Sequence, residues 1–194
     1  MRLIAAALLL GLAACGTTEA NLVYTPATAM TSPAQARPVV AVGTVVDRRE
    51  DGREDPRWIG TIRGGYGNAM KRLDAPVPVT EVVRQAFTDA LRARGLLATG
   101  APRYTIGVEI LQLNANQYVR REGNAEFRIS LIPAAGGPPV LVDQGSASRV
   151  SGSMLSLAAG AFGSVEELRL VAQQAMSEAI DKLLDKPGFA AALR

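Results

Sequence analysis

Three predicted strands, placed between two helical stretches, most constrain how this chain can fold. Apolar and polar residues alternate from Tyr104 to Tyr118 and again over Phe127–Leu131, and a third strand is predicted after Pro138, through Val140, Leu141 and Val142 towards Val150. Apolar residues at every second position are typical of strands with one buried face. The glycine-containing stretch 134–137 supplies a hairpin loop between the second and third strands. We therefore expect these three strands to form an antiparallel meander.

Two amphipathic helices are predicted on either side of this meander. The first has apolar residues at helical spacing from Val82 to Leu91, with Thr80 as the expected N-cap and Gly95 as the stop. The second follows a capping box at Ser164–Glu167 and ends before Pro187. Their apolar stripes are typical of helices that pack on a sheet.

A further strand precedes both helices. The β-branched run that ends at Asp47 predicts it, and the charged, then glycine-rich segment 48–68 predicts an excursion from the sheet with a short strand at 59–63. The order of elements predicts an α+β fold, with a mixed, largely antiparallel sheet and two helices packed on one face.

The N-terminus has the layout of a lipoprotein signal. Arg2 and an apolar run lead into Leu12-Ala13-Ala14-Cys15, and Cys15 is the single cysteine of the chain. A secretory signal or a membrane-spanning anchor would also begin this way, but a span needs about 20 apolar residues and this run is shorter. We expect cleavage before Cys15 and its modification by palmitate and other acyl chains.

This signal divides the chain into three parts. Residues 1–14 are predicted to be the cleaved signal peptide, 15–37 the lipidated N-terminus and a flexible tether, and 38–194 a single periplasmic α+β domain. Gly16 follows the cysteine. An aspartate at this position would resemble the signal that retains lipoproteins in the inner membrane of enteric bacteria. We therefore expect the lipid-anchored domain to face the periplasm from the outer membrane.

Composition excludes several functional classes. The chain has no histidine, and Cys15 is used for acylation, so neither a Ser-His-Asp triad nor a thiolate nucleophile is available. The same absence removes the usual zinc ligands, and we expect no metal site, no cofactor and no enzyme activity. The net charge of +3 comes from basic residues interleaved with acids, so no nucleic-acid partner is expected.

Several short features together resemble the YajG-type family of bacterial lipoproteins. They are the strand that closes in Asp47-Arg48-Arg49, the Ile59-Gly60 step, the Pro78-led helix that ends at Gly95, and the final helix. The resemblance covers most of residues 38–186 and implies an outer-membrane lipoprotein domain with no assigned catalysis. The charged segment Glu50–Arg57 departs from that family's pattern.

These features favour a non-catalytic interaction or structural module that binds another envelope protein or an envelope polymer. One alternative is an auxiliary lipoprotein of an ABC-type lipid transporter, and another is a carrier of a lipid or small ligand. A peptidoglycan hydrolase would draw its carboxylates from Asp47, Glu50, Asp51, Glu54 and Asp55.

The candidate partner-binding residues fall in two loops. Those of the first loop are Asp47, Arg48, Arg49, Trp58 and Tyr66, and those of the second are Met154, Leu155, Leu157 and Phe162. Trp58 has two interpretations, a partly buried cover on the core or an interface anchor. Each loop follows a strand, so the two loops could share one end of the sheet.

Overall fold

The described part of the chain forms one seven-stranded mixed sheet with helices on one face. The computed structural model describes residues 16–26, 39–52, 54–64, 66–151 and 164–194. The strands are β1 (Gly16–Glu19), β2 (Val40–Asp47), β3 (Trp58–Arg63), β4 (Ala69–Asp74), β5 (Tyr104–Gln117), β6 (Arg121–Pro133) and β7 (Leu141–Ser151). The helices are α1 (Val79–Ala93), α2 (Val165–Leu184) and α3 (Pro187–Ala192). Cys15 and the predicted second-loop residues Met154, Leu155, Leu157 and Phe162 lie outside the described residues.

Strand β5 is the central strand of the sheet. One of its edges pairs with β6 along almost its whole length, and β6 pairs with β7, both in antiparallel orientation. Its other edge is shared by two strands that run parallel to it, with β2 beside Tyr104–Ile110 and β3 beside Ala115–Gln117. Strand β4 pairs antiparallel with β3, and β1 pairs parallel with β4.

The predicted α+β fold is confirmed, because the long strand pairs are antiparallel and α1 and α2 join one core with the sheet. Apolar alternation does not predict β4, because Lys71, Arg72 and Asp74 interrupt it. The predicted cap of α1 is wrong, since Pro78 occupies the N-cap position and the helix begins at Val79. The predicted cap of α2 is confirmed, with the Ser164 hydroxyl accepting from the Glu167 amide at 3.3 Å.

The core lies between the helices and the sheet. Phe87 of α1 meets Phe127 of β6 edge to face, with 5.6 Å between the ring centroids. Two glycines allow α2 to lie close to β6 and β7. A Cβ on Gly123 would come within 2.7 Å of the Val171 carbonyl oxygen, and one on Gly145 within 2.7 Å of Leu183 Cγ. Larger residues at these positions would therefore push α2 away from the sheet.

The segment 16–26 belongs to the folded domain. Gly16 pairs with Lys71 at the start of β1, and Ala20 and Leu22 are buried in the core. The Thr25 amide then donates to the Ser177 hydroxyl of α2 at 3.0 Å. The structure thus differs from the predicted flexible tether over 15–37 at residues 16–26. The local sequence has no strand periodicity, and contacts with β4 and α2 hold the segment in place.

A buried arginine joins this segment to both long helices. The Arg94 side chain, at the end of α1, is 1% exposed and donates to Asp181 at 2.8 Å and to Asp185 at 2.9 Å. It also donates to the Tyr24 hydroxyl at 3.0 Å, and that hydroxyl donates in turn to Asp181. Burial alone would lower the pKa of Arg94, but these hydrogen bonds raise it. The guanidinium therefore stays charged and compensates two carboxylates, Asp181 within α2 and Asp185 just after its last residue.

Replacing Arg94 by leucine is expected to lower the free energy of unfolding by about 3–5 kcal/mol, because Asp181 would be left buried without its counter-charge. Arg92→Leu is the matched control, since Arg92 is exposed on the same helix and pairs with Asp89 of its own helix. Loss of such a pair is expected to cost less than about 1 kcal/mol. Urea unfolding followed by fluorescence measures both, and similar losses for the two variants would contradict the assigned role of Arg94.

The Tyr24 hydroxyl predicts a specific dependence of stability on pH. Burial and the hydrogen bond to Asp181 raise the pKa of Tyr24 to about 12 from its ordinary value near 10. A raised pKa means that the stabilisation is complete below pH 10 and is lost as the pH rises towards 12. We expect the free energy of unfolding to fall more steeply between pH 10 and 12 in the natural protein than in Tyr24→Phe. Parallel curves for the two proteins would show that Tyr24 ionises normally.

Candidate interaction site

The face of the sheet opposite the helices carries polar side chains, and we call it the polar face. Strand alternation places them there, because their neighbours in sequence point into the core. Arg128 donates to Glu109 at 3.2 Å and to Gln144 at 3.2 Å, and Gln144 donates to Glu126. These bonds form a row of mixed charge across β5, β6 and β7. Other members of the polar face are Gln112, Asn114, Asn116, Glu122, Asn124, Ser146 and Ser148.

The segment 48–57, which we call the β2–β3 loop, borders the polar face. It arises because β2 and β3 share one edge of β5, so the chain leaves the sheet after Asp47 and rejoins it at Trp58. Asn114, on the polar face of β5, donates to the Asp51 carboxylate at 3.2 Å. The loop therefore contacts the polar face directly.

Arg49 fixes the base of this loop. Its side chain is 1% exposed and donates to the Asp47 carboxylate at 2.9 and 2.8 Å. It also donates to the carbonyl oxygens of Trp58 at 2.8 Å and Leu113 at 3.1 Å. Arg49 was predicted as a partner-binding residue, but these bonds use its guanidinium and leave almost none of it accessible. Asp47 and Arg49 thus hold the loop on the sheet.

Trp58 packs on the backbone of the same loop. Gly52 has a φ of 75°, and a Cβ there would meet the indole ring. The indole N–H donates to the Thr61 hydroxyl at 3.2 Å. Of the two interpretations from the sequence, these contacts favour a partly buried cover over an interface anchor.

Two open clefts flank the loop, and Glu50 and Asp51 line both. The first has a volume of about 320 Å³ and includes Arg48, Gln112 and Glu126 in its wall. The second has a volume of about 690 Å³ and is lined by Trp58 and by the charged residues Glu54, Asp55, Arg63 and Arg72, among others. Their linings are mainly charged and polar, which suits a polar partner better than a lipid tail.

Arg48, one of the predicted first-loop residues, is exposed at the border of the polar face. Its side chain is 63% exposed and lies 3.9 Å from Glu109 of the polar face. Tyr66, in contrast, lies fully exposed in the connection between β3 and β4, at the far end of β3. The six residues of β3 span roughly 17–20 Å. The structure therefore brings together four of the predicted residues, Asp47, Arg48, Arg49 and Trp58. Tyr66 belongs to another part of the surface.

Three of the five carboxylates considered for a hydrolase, Asp47, Asp51 and Asp55, make other contacts. Asp47 is paired with Arg49, and Asp51 accepts the Asn114 amide. The Arg57 amide donates to the Asp55 carboxylate at 2.9 Å, and the Arg72 guanidinium also contacts this carboxylate. Both contacts lower the pKa of Asp55. A general acid needs the opposite shift, so this geometry does not favour glycoside cleavage.

Two further features of the described residues bear on the site. They contain no group of three or more His, Cys, Asp or Glu side chains that could hold a metal ion. Their helices are also too short or too polar to cross a membrane.

Comparison with known proteins supports the fold. No family model and no curated protein matches the sequence. The structure resembles that of protein XCC0632 from Xanthomonas campestris, assigned to the family model DUF330, with a TM-score of 0.64 at 14% identity over 92% of this chain and 98% of that chain. PelC of Paraburkholderia phytofirmans, solved as a dodecamer, gives a TM-score of 0.45 at 16% identity over 80% of this chain and 92% of that chain. Lipoprotein GNA1162 of Neisseria meningitidis gives 0.31 at 9% identity over 78% of this chain and all of that chain.

Sequence reasoning missed the polar-face residues that complete the site. Glu109, Gln112, Glu126 and Arg128 occupy the outward positions of predicted strands, which are normally read as solvated. The strand pairing brings them beside Arg48 and Asp51, which are distant in sequence. The alternation predicts that these four residues share one face of the sheet. It does not predict that the β2–β3 loop borders this face.

Replacing Arg49 by alanine is expected to destabilise the domain by about 1–3 kcal/mol, because the Leu113 and Trp58 carbonyls and Asp47 lose their donor. Backbone amides of residues 48–58 should exchange faster with solvent. Arg48→Ala is the control, with a change within about 0.5 kcal/mol for an exposed side chain. Hydrogen exchange and urea unfolding test both variants, and an Arg49→Ala protein as stable and protected as the control would contradict this role.

Proposed function

We propose that this protein is a lipid-anchored, non-catalytic module of the bacterial envelope that binds another envelope protein. In this proposal, acyl chains on Cys15 hold it at the periplasmic surface of the outer membrane. The observation that carries the proposal is that the lipobox cysteine directly precedes Gly16, the first residue of β1. Acylation at Cys15 would attach the folded domain to the membrane with almost no spacer. The YajG-type resemblance is consistent with this location.

The polar face and the β2–β3 loop are the proposed binding surface. Its accessible charges alternate in sign, with Arg48 beside Glu109 and Arg128 beside both Glu109 and Gln144. A polyanionic glycan would be attracted best by charges of one sign, whereas a mixed pattern suits a folded protein surface. This supports a protein partner over an envelope polymer.

The first experiment is crosslinking in intact cells, followed by identification of the partners by mass spectrometry. Palmitate labelling of the same cells reports acylation. Cys15→Ser should lose both the label and the partner, because the domain would be mislocalised. A labelled protein that captures no partner above background would overturn the binding role and leave the anchor intact. A transporter subunit among the partners would select the auxiliary-lipoprotein alternative.

The double variant Arg48→Glu, Arg128→Glu tests the surface itself. Both side chains are exposed, so the fold should be retained, while reversal of two charges should reduce partner crosslinking several-fold. Arg92→Glu, on the helix side of the domain, is the matched control and should crosslink normally. Equal crosslinking in all three proteins would place the contact elsewhere.

The competing classes have their own tests. A hydrolase would release sugar fragments from purified cell-wall sacculi and lose that activity in Asp51→Asn. A lipid carrier would retain lipid in native mass spectra, although the polar linings of the two clefts give no support for it. Either positive result would contradict the proposed non-catalytic binding role.

A further inference from the structure

Three features of the described chain meet at one end of the sheet, which we call the anchor end. The β1 strand begins there, because Gly16 pairs with Lys71 near the start of β4. The connection between β3 and β4 follows Arg63 at the same end. Since β3 runs parallel to β5, with Ile62 beside Gln117, the turn between β5 and β6 lies next to it.

Four of the ten large apolar side chains that are exposed among the described residues lie at this end, including both exposed tyrosines. Tyr66 is fully exposed and Met70 is 44% exposed in the β3–β4 hairpin. Tyr118 and Val119, in the β5–β6 turn, are 54% and 60% exposed. Single exposed apolar residues are ordinary, but a group on adjacent turns indicates a surface with a binding role. Tyrosine is especially common at the level of lipid headgroups, because its ring is apolar and its hydroxyl is polar.

Basic residues accompany this group. Arg63 and Lys71 flank the β3–β4 connection, and both are exposed. Among the described residues, no carboxylate oxygen lies within 4.0 Å of either side-chain charge, although Arg120 in the neighbouring turn pairs with Glu122 at 3.5 Å. Positive charge next to apolar side chains complements phospholipid phosphates at a bilayer surface.

The position of the lipid attachment favours a phospholipid bilayer as the partner of the anchor end. Cys15 is bonded to Gly16, and consecutive Cα atoms are about 3.8 Å apart. Acyl chains on Cys15 would therefore enter the bilayer within a few ångströms of the anchor end. No tether separates them, because Gly16–Glu19 is already strand β1. This step rests on the proposed lipidation.

We propose that the anchor end is a membrane-contact surface that seats in the headgroup layer beside the acylated cysteine, with Tyr66, Met70, Tyr118 and Val119 in contact with phospholipid. Arg63 and Lys71 bind lipid phosphates. Seating at two turns in addition to the acyl chains fixes the tilt of the domain. The β2–β3 loop joins β3 at the other end of that strand, roughly 17–20 Å along it from the anchor end.

The test uses the full lipidated protein in vesicles of phosphatidylethanolamine and phosphatidylglycerol. A photo-crosslinking phenylalanine analogue replaces Tyr66 or Tyr118, and Val142 in a third sample. Val142 is the matched control, since it is 58% exposed but lies near the start of β7, at the opposite end of the sheet. We expect lipid adducts at positions 66 and 118 to exceed those at position 142 several-fold.

The proposal would be overturned if lipid adducts at positions 66 and 118 were no more abundant than those at position 142. Adducts at 66 and 118 in intact cells that join to protein instead of lipid would also overturn it. Palmitate labelling in the same preparation separates the two proposals. A labelled protein without adducts refutes membrane seating alone, whereas an unlabelled protein refutes the lipid anchor on which the seating depends.

Discussion

The buried guanidinium of Arg94 is the interaction on which the arrangement of this domain depends. It joins the end of α1 to two carboxylates at the C-terminal end of α2 and to the Tyr24 hydroxyl of the N-terminal segment. Each of these groups would be costly to bury alone, and together they satisfy one another. The ion cluster therefore fixes the helices relative to each other and keeps the N-terminal segment on the fold.

This attachment makes the N-terminal segment part of the folded domain instead of a flexible tether. A flexible tether would let the domain move freely at a distance from the membrane. With Ala20 and Leu22 in the core and Tyr24 bonded to Arg94, the fold instead begins one residue after the lipobox cysteine. A lipid at that position would hold the domain close to the bilayer, with one end of the sheet towards it.

The long outer strand also explains how the sheet remains a discrete unit. Strand β7 pairs only with β6 in the described chain, so its outer carbonyls would invite pairing with another strand. Lys182 donates to the Ser146 carbonyl at 3.2 Å and Lys186 to the Gln144 carbonyl at 2.9 Å. These lysines of the α2 end occupy the edge.

The sequence alone determined the three long strands, both long helices and the α+β class, because period-two and period-3.6 apolar patterns report local geometry and burial. It also placed Arg48 and Trp58 in one loop. Only the tertiary structure decided that β1 joins the sheet, that Arg49 is buried, and that Glu109 and Arg128 lie beside Arg48. Those features depend on strand order and on ion pairs between residues distant in sequence. No local periodicity records them, since the stabilising contacts form only once the chain has folded.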